Sequence, residues 1–359
     1  MIKNRVLLLP LFCFALISTH ALADPFRLEG DLAYLQGDEN GVERTTQSAA
    51  VTWWLEPVDH AGLPWREAGF VSRASSITVG YGRTRIEQTL LSPFPFGPPA
   101  TVDLRDDTEQ LLVSGRYVFP AKRWFVDGAI GRIESDASAS GSLEPEGEEY
   151  SIGMGYYLTP TTTLRLAAKQ GDLDAKDQVT NDCAAIGAPF FGCVQSISIQ
   201  QETQTTEIAL SFRHLGRMAS FDYVIDLSAG SRRLKSESEI SLVLAPPRGG
   251  GLIGVFPRPG GSTPGNPVTR RDSDTLGPLE FALVSARWYP ADTVGIGASL
   301  AYSEREAPSG DGQVLTYGLD ADWFILPQLA VSALWRRERA PVSGLADMDV
   351  FGASLRLRW

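Results

Sequence analysis

The sequence lacks a long hydrophobic run after its first 23 residues. A membrane-spanning helix needs roughly 20 consecutive apolar residues, and no later stretch of the 359-residue chain provides them. The chain also contains 35 glycines, which is typical of a structure rich in turns. These features exclude a membrane protein built from spanning helices.

Positive charge is also in short supply. Lysine and arginine total 32 against 43 aspartate and glutamate residues, so the formal net charge is −11. A surface of this charge repels phosphate backbones. Nucleic acid is therefore excluded as a partner.

Cysteine and histidine are scarce, with three residues of each. Cys183 and Cys193 lie in the stretch NDCAAIGAPFFGC, whose spacing matches no zinc motif. In an exported protein, two such cysteines usually form a disulfide that closes a small loop. The sequence therefore predicts a Cys183–Cys193 disulfide, no metal site and no cofactor.

The N-terminus predicts export. Lys3 and Arg5 precede the apolar run VLLLPLFCFALI, and Ala21-Leu22-Ala23 then provides the small residues that a signal peptidase reads. Residues 1–23 are therefore predicted to be a signal peptide cleaved after Ala23, and residues 24–359 the mature protein.

Alternating apolar and polar residues recur from end to end of the mature chain. In the last residues, FGASLRLRW, every second side chain is apolar, so one face of a strand is apolar and the other is small or charged. We predict about 14 such strands, at residues 26–36, 46–56, 75–86, 108–119, 123–133, 148–158, 162–170, 204–213, 220–230, 280–289, 293–304, 314–325, 328–337 and 348–359. The stretch EISLVL could add a pair and raise the number to about 16.

The connections between these strands alternate in length. Short links such as FPAKRW, YPADT and LPQ alternate with long polar links such as ESDASASGSLEPEGEE. Outer-membrane barrels have short periplasmic turns and long outer loops, whereas a sandwich has no reason to alternate in this way. The chain is therefore predicted to be all-β, a transmembrane antiparallel up-and-down β-barrel in the outer membrane of a Gram-negative bacterium. Residues 57–74 are the exception, because they form a long connection on the periplasmic side.

Aromatic residues gather at both ends of the predicted strands, as they do at the two interfaces of a bilayer. The turn end carries Trp53, Tyr117, Trp124, Tyr156, Trp288, Trp323 and Trp359, and the loop end carries Tyr34, Tyr81, Tyr150, Tyr302 and Trp335. Gly153, Gly155, Gly295 and Gly297 lie on the opposite faces of their strands. We expect these small residues to leave room in the lumen.

Two stretches carry a resemblance to known proteins. The last strand, ending at Trp359, resembles the assembly signal of Gram-negative outer-membrane proteins, which implies the outer-membrane assembly machinery as a partner. The stretch REAGFVSRASSITVGYG, from Arg66 to Gly82, resembles the turn-and-strand element of the putative general bacterial porins. That resemblance implies passive diffusion of small solutes.

The three histidines do not support an enzyme. Barrel enzymes typically work through a histidine with an acidic or serine partner near the outer rim. His20 belongs to the predicted signal peptide, His60 lies in the long periplasmic connection, and His214 is predicted to lie in the short turn RHLGRM. No catalytic residue is therefore predicted.

Charged residues on the inward faces of the strands are the predicted pore lining. By parity they are Arg116, Asp127, Arg165, Lys169, Glu207, Arg213, Asp222, Asp226, Arg287, Asp320, Asp322, Arg336, Arg356 and Arg358. Neighbouring strands are expected to bring Arg116 near Asp127 and Arg213 near Asp222, close to periplasmic turns. Such pairs either stabilise the wall, since buried charges need partners, or select solutes. A mixed wall predicts weak ion selectivity.

The segment from Ser231 to Pro278 is the longest predicted outer loop. It is basic, with Arg232, Arg233, Lys235, Arg248, Arg258, Arg270 and Arg271, and it contains an apolar patch of Leu252, Ile253, Val255 and Phe256. One interpretation is that the loop folds into the lumen as a constriction, with part of its charge against Asp222 and Asp226. The other is a mobile surface loop that contacts lipopolysaccharide phosphates.

The pattern as a whole predicts a porin or porin-like channel for passive diffusion of small hydrophilic solutes and ions. Its expected surroundings are outer-membrane lipid and lipopolysaccharide. The alternative is a closed or plugged barrel with a surface-exposed binding or adhesion role, because the loops are long. A plug is expected to require an extra domain before the first strand, which begins almost at the predicted cleavage site.

Overall fold

The chain folds into a closed antiparallel barrel of 14 strands. The computed structural model describes residues 25–39, 42–59, 64–92, 100–137, 144–180, 194–218, 220–244, 268–307, 310–339 and 347–359. The strands are β1 (Phe26–Glu39), β2 (Val42–Val58), β3 (Ser76–Ser92), β4 (Ala100–Val118), β5 (Trp124–Ala137), β6 (Glu144–Thr159), β7 (Thr162–Thr180), β8 (Val194–Met218), β9 (Phe221–Leu244), β10 (Val268–Ala291), β11 (Val294–Ala307), β12 (Gly310–Leu326), β13 (Leu329–Arg339) and β14 (Met348–Arg358).

Each strand pairs with its neighbours in sequence, and β1 pairs with β14 to close the barrel. At this closure the Trp359 N–H donates to Leu28 O (3.0 Å), and Trp359 O accepts from the N–H groups of Arg27 and Leu28. The indole ring of Trp359 lies over Gly30, where an added Cβ would come within 3.1 Å of it. Trp359 therefore completes the seam between the first and last strands.

The predicted all-β fold with 14 strands is confirmed, and the alternative of 16 strands is wrong. EISLVL belongs to β9, which continues without a break to Leu244. β8 and β9 have 25 and 24 residues and are much longer than the predicted segments. Residues 200–206 of β8 are all polar, and residues 231–239 of β9 contain a single apolar residue, Leu234, so the alternation that marks a lipid-facing strand is interrupted there although the backbone pairing continues.

The outward face of the barrel is apolar between two aromatic belts. Ile152, Met154 and Leu166 are among the exposed hydrophobic side chains of this face. The turn-end aromatics Trp53, Tyr117, Trp124, Trp288, Trp323 and Trp359, and the loop-end tyrosines Tyr34, Tyr81 and Tyr150, are likewise exposed. An exposed apolar band with aromatic girdles is the arrangement expected of a barrel in contact with lipid.

The inward glycines were expected to leave room in the lumen. They are instead covered by side chains from adjacent strands. Asp127 and Arg165 lie over Gly153, Phe125 over Gly155, and Asp320 and Arg287 over Gly297. Because these positions have no Cβ, bulky and charged neighbours can extend across them.

Among the described residues, no helix is both long enough and apolar enough to cross a membrane. A 3₁₀ turn (Trp65–Glu67) and one α-helical turn (Ala68–Ser72) lie in the connection between β2 and β3. This connection is at the same end of the barrel as the short turns.

Candidate functional site

The connection between β2 and β3 folds into the turn end of the lumen. We call its residues Pro64 to Ser75 the plug segment. Its α-helical turn ends at Arg73, which adopts a left-handed conformation (φ 50°) and donates its N–H to Phe70 O at 3.3 Å. This reversal directs the chain back to the wall, where β3 begins.

The plug segment is fixed to the wall beside β2 and β4. Ser75 is buried, its N–H donates to Glu56 Oε2 (2.7 Å), and its Oγ accepts from Val118 N–H (3.1 Å). Ala68 and Ala74 pack in one apolar cluster with Phe26, Val58 and Trp54. These contacts hold the middle and the C-terminal end of the segment against one side of the barrel.

The beginning of the plug segment contacts the opposite part of the wall. The Trp65 N–H donates to Asp292 O in the turn between β10 and β11 (3.0 Å), and its ring meets Phe324 of β12 edge to face at 5.7 Å. Arg358 of β14 donates to Trp65 O at 2.6 Å. The segment therefore reaches across the lumen.

Glu67 is the carboxylate at the centre of the plug segment. Only 2% of the residue is exposed. It accepts a hydrogen bond from the Tyr289 hydroxyl (2.6 Å) and forms an ion pair with Arg213 of β8. The preceding residue, Arg66, pairs with Asp322 of β12 at 2.7 Å. A buried carboxylate needs such partners, because desolvation without them costs several kcal/mol.

Phe70 fills the space between these polar contacts. Its ring lies 6.1 Å from that of Tyr157, and with Val71 it packs against the buried cluster of Leu215, Val224 and Tyr289. Wall residues from most of the circumference thus contact the plug segment, which spans the turn end of the lumen.

The predicted pore-lining charges surround the plug segment as ion pairs. Arg116 lies 3.7 Å from Asp127, as predicted, and Arg165 binds Asp127 through Nε at 2.8 Å. Arg287 pairs with both Asp320 and Asp322. Arg356 donates to Asp31 at 2.7 Å, and Arg358 donates to Glu29 at 2.6 Å. Arg336 faces Gly318 across the β12–β13 pair, and no ion pair is found for it within the described part of the chain.

The predicted pairing of Arg213 with Asp222 is wrong. The β8–β9 register places Arg213 opposite Asp226 and Arg217 opposite Asp222. Arg213 Nε is 3.6 Å from Asp226, and Arg217 binds Asp222 at 2.6 Å. A shift of four residues in pairing cannot be read from the spacing of charges alone.

The basic residues of the segment from Ser231 to Pro278 do not pair with Asp222 or Asp226 where the structure describes them. Arg232 binds Glu207 (2.7 Å), Lys235 binds Glu237 (2.6 Å) and Arg271 binds Glu239 (2.8 Å), all on extended strands. That part of the constriction hypothesis is corrected. Residues 245–267, with the apolar patch, lie outside the described residues.

Other predictions also fall outside the described residues, namely the signal peptide, the Cys183–Cys193 disulfide and His60. His214 lies in β8 and shares a hydrogen bond of 2.8 Å with Thr162. No group of three potential metal ligands occurs in the described part of the chain.

Sequence reasoning missed the residues that close the lumen: Arg66, Glu67, Phe70, Arg73 and Tyr289. One signal did point to them, because residues 57–74 were the one long connection among short periplasmic turns. The expectation that a plug requires an extra domain before the barrel is corrected, since a connection between two strands supplies it here.

A cavity of about 530 Å³ lies beside the plug segment in the lumen. Plug residues Arg66, Glu67 and Phe70 form one side of it, and wall residues Arg116, Arg165, Arg213 and Asp226 are among those that line the other. The site is therefore polar and rich in guanidinium groups, and it lies where a solute moving through the lumen would meet the plug segment.

The sequence matches no protein-family model, and it resembles no curated protein. Among solved structures, the monoaromatic hydrocarbon channel CymD is similar at a TM-score of 0.58 and 9% identity, with 94% of this chain and 89% of that chain covered. The deltaS2S3 mutant of the monoaromatic hydrocarbon channel TodX is similar at a TM-score of 0.50 and 9% identity, over 94% and 90% of the two chains. The Acinetobacter baumannii outer membrane protein Omp33 is similar at a TM-score of 0.45 and 14% identity, over 93% and 99%. At these identities the likeness shows the fold, and the narrower assignment to the putative general bacterial porins stays a prediction.

Proposed function

We propose that this protein is a channel of the Gram-negative outer membrane whose periplasmic end is closed by the plug segment. The observation that carries the proposal is the path of residues 64–75 across the lumen, fixed to opposite walls through Ser75 and Trp65. Solutes pass when the plug segment moves away from the wall residues that hold it.

The outer surface supports the membrane location. The exposed apolar band and its aromatic belts fit a bilayer with lipopolysaccharide above it. The outer-membrane assembly machinery is proposed as a partner from the resemblance of the last strand, which ends at Trp359, to the assembly signal of outer-membrane proteins. The solved structures that share this fold include channels for monoaromatic hydrocarbons. This likeness supports a transport role.

The lumen supports small hydrophilic solutes as cargo. Arg116, Arg165, Arg213 and Asp226 line the cavity beside the plug segment, so an apolar solute would have to displace water from charged groups there. We infer passive diffusion, because the described part of the lumen wall carries charges that are held in ion pairs, such as Arg116 with Asp127.

The alternative function is a closed barrel that acts through its outer surface. It is favoured by the same plug segment, which reaches across the turn end of the lumen between opposite parts of the wall. Proteoliposome swelling separates the two. We expect liposomes that contain a variant with residues 65–72 replaced by a Gly-Ser linker to swell in small sugars and amino acids, and to swell faster than those with the parent.

The control is the parent protein after boiling, which carries no folded barrel into the liposomes. If neither the parent nor the linker variant causes more swelling than this control, the protein is not a diffusion channel and the surface-binding role gains support.

A further inference from the structure

Three aromatic rings meet where the plug segment contacts the wall, and each carries an arginine on its face. Tyr157 lies 5.3 Å from Phe125 and 6.1 Å from Phe70. Arg116 lies over Phe125 at 4.5 Å, Arg213 over Phe70 at 4.9 Å and Arg73 over Tyr157 at 4.7 Å. A guanidinium that lies over a ring can still donate its N–H groups to another group.

We call Arg116, Arg165 and Arg213 the arginine cluster. These side chains face the lumen, whereas most of the carboxylates that pair with them are buried. The side chains of Arg116, Arg165 and Arg213 are 35%, 29% and 36% exposed, against 13% for Asp127 and 2% for Glu67. Asp226 is the exception, with 35% exposure beside Arg213. A solute therefore meets mainly guanidinium groups on this side of the cavity.

The cluster also has hydrogen-bonding capacity to spare. Arg116 and Arg165 share the single carboxylate of Asp127, and Arg116 is 3.7 Å from it. Two guanidinium groups that share one carboxylate leave an excess of positive charge around Arg116 and Arg165, whereas Arg213 faces the two carboxylates of Glu67 and Asp226.

We propose that Arg116, Arg165 and Arg213 form a binding site for small organic acids on the lumen side of the plug segment. Guanidinium groups bind carboxylates through two parallel hydrogen bonds. The partly exposed ring of Phe70 also lines the cavity and gives the apolar part of such an acid a place to pack. The inference rests on the proposed channel function and deepens it by naming the substrate class. It predicts a preference for organic anions, in place of the weak ion selectivity expected from a mixed wall.

Binding would be coupled to the plug segment through Arg213. This arginine already holds Glu67, so a solute carboxylate that reaches its guanidinium competes with Glu67 for it. Occupation of the site would therefore weaken one of the contacts that keep the lumen closed.

The test is isothermal titration of the folded protein in detergent at low salt with benzoate, and with benzamide as a neutral molecule of the same shape. We expect benzoate to bind and benzamide not to bind. Arg116→Gln should weaken benzoate binding by roughly tenfold or more. Asp127 keeps its contacts with Arg165 in this variant, so the wall pair remains intact. Arg132→Gln, on the outer face with Glu134, is the matched control and should bind like the parent.

Equal binding of benzoate and benzamide would overturn the proposal, and so would an Arg116→Gln protein that binds benzoate like the parent. If Arg116→Gln loses its heat-modifiable mobility, the comparison of benzoate with benzamide on the parent decides alone. A titration with inorganic phosphate distinguishes a site for organic acids from a general anion site: binding as tight as that of benzoate would refute the stated substrate class. These titrations do not depend on conduction, so a barrel that binds benzoate but never conducts would refute the channel and leave the site standing.

Discussion

At the scale of single residues, Glu67 is the side chain on which closure depends most. It is buried at the centre of the plug segment, and its partners, Arg213 and Tyr289, come from two different strands of the wall. One carboxylate thus joins the plug segment to parts of the barrel that are distant in sequence.

Glu67→Gln is expected to open the channel more often. Glutamine keeps the shape and can accept from Tyr289, but it removes the charge from a charge-assisted pair, which contributes about 1.5–3 kcal/mol. That loss corresponds to about a 10- to 150-fold change in the ratio of open to closed plug segments. Single-channel recordings measure the change as open probability.

The matched control for this variant is Glu109→Gln, on the outer face near Arg83. It should leave the open probability unchanged. If Glu67→Gln gates like the parent, the ion pair with Arg213 does not hold the plug segment in place.

Gly69 tests the packing of the plug segment. A Cβ at this position would collide with the Trp54 ring, which packs in the cluster that holds Ala68 and Ala74. Gly69→Ala should therefore weaken docking of the segment by about 1–3 kcal/mol and raise the open probability, although alanine favours the helical turn itself.

Gly82→Ala is the control for this substitution, because the nearest atom to an added Cβ there is Gln47 O at 3.9 Å. It should conduct like the parent. Equal open probabilities for Gly69→Ala and Gly82→Ala would show that the contact with Trp54 does not contribute to closure.

At the scale of elements, Arg358 of β14 ties the last strand to the first and to the plug segment. Its side chain is buried between the rings of Phe26 and Phe324 (4.5 and 4.8 Å), and it donates to Glu29 and to Trp65 O. The closing seam of the barrel and the plug segment therefore share one cation.

Arg358→Gln is expected to lower the stability of the folded barrel by about 3–5 kcal/mol, because it leaves Glu29 buried with only the more distant Arg356. The midpoint of the heat-modifiable gel shift measures this. The control is Arg339→Gln. Arg339 lies on β13 and is a largely exposed partner of Asp347, so its loss should lower the stability of the folded barrel by only about 0–1 kcal/mol. Equal midpoints for the two variants would contradict the role of Arg358.

The elements that face lipid could be predicted from the sequence, and those inside the lumen could not. Alternation in segments such as Tyr150 to Leu158 marks a strand because one face must contact lipid, and each of the 14 predicted strands has a counterpart in the barrel. The outer halves of β8 and β9 lack that constraint, so their lengths were missed. Pairing of Arg213 depends on register, which spacing does not fix.

The plug segment could not be predicted because its contacts join residues far apart in sequence. Glu67 and Tyr289 are 222 positions apart, and Arg66 and Asp322 are 256 apart. Local pattern indicated only that the connection of residues 57–74 was unusually long. The wall residues that contact the plug segment are brought together only when the barrel closes. A single sequence does not show which residues these are.

At the scale of the whole molecule, an apolar outer surface encloses a charged lumen that is spanned at one end by its own chain. In the function proposed above, the segment from Pro64 to Ser75 is both the connection between two strands and the barrier to passage. Because it is covalently held at both ends, it can leave the lumen without leaving the protein.

The most direct test of this account is the single-channel conductance, in a planar bilayer, of the variant whose residues 65–72 are replaced by a Gly-Ser linker, compared with that of the parent. We predict a clearly larger and longer-lived conductance for the variant, with heat-modifiable mobility unchanged. A folded variant that conducts like the parent, or not at all, would show that the plug segment is not the barrier to passage and would contradict the account.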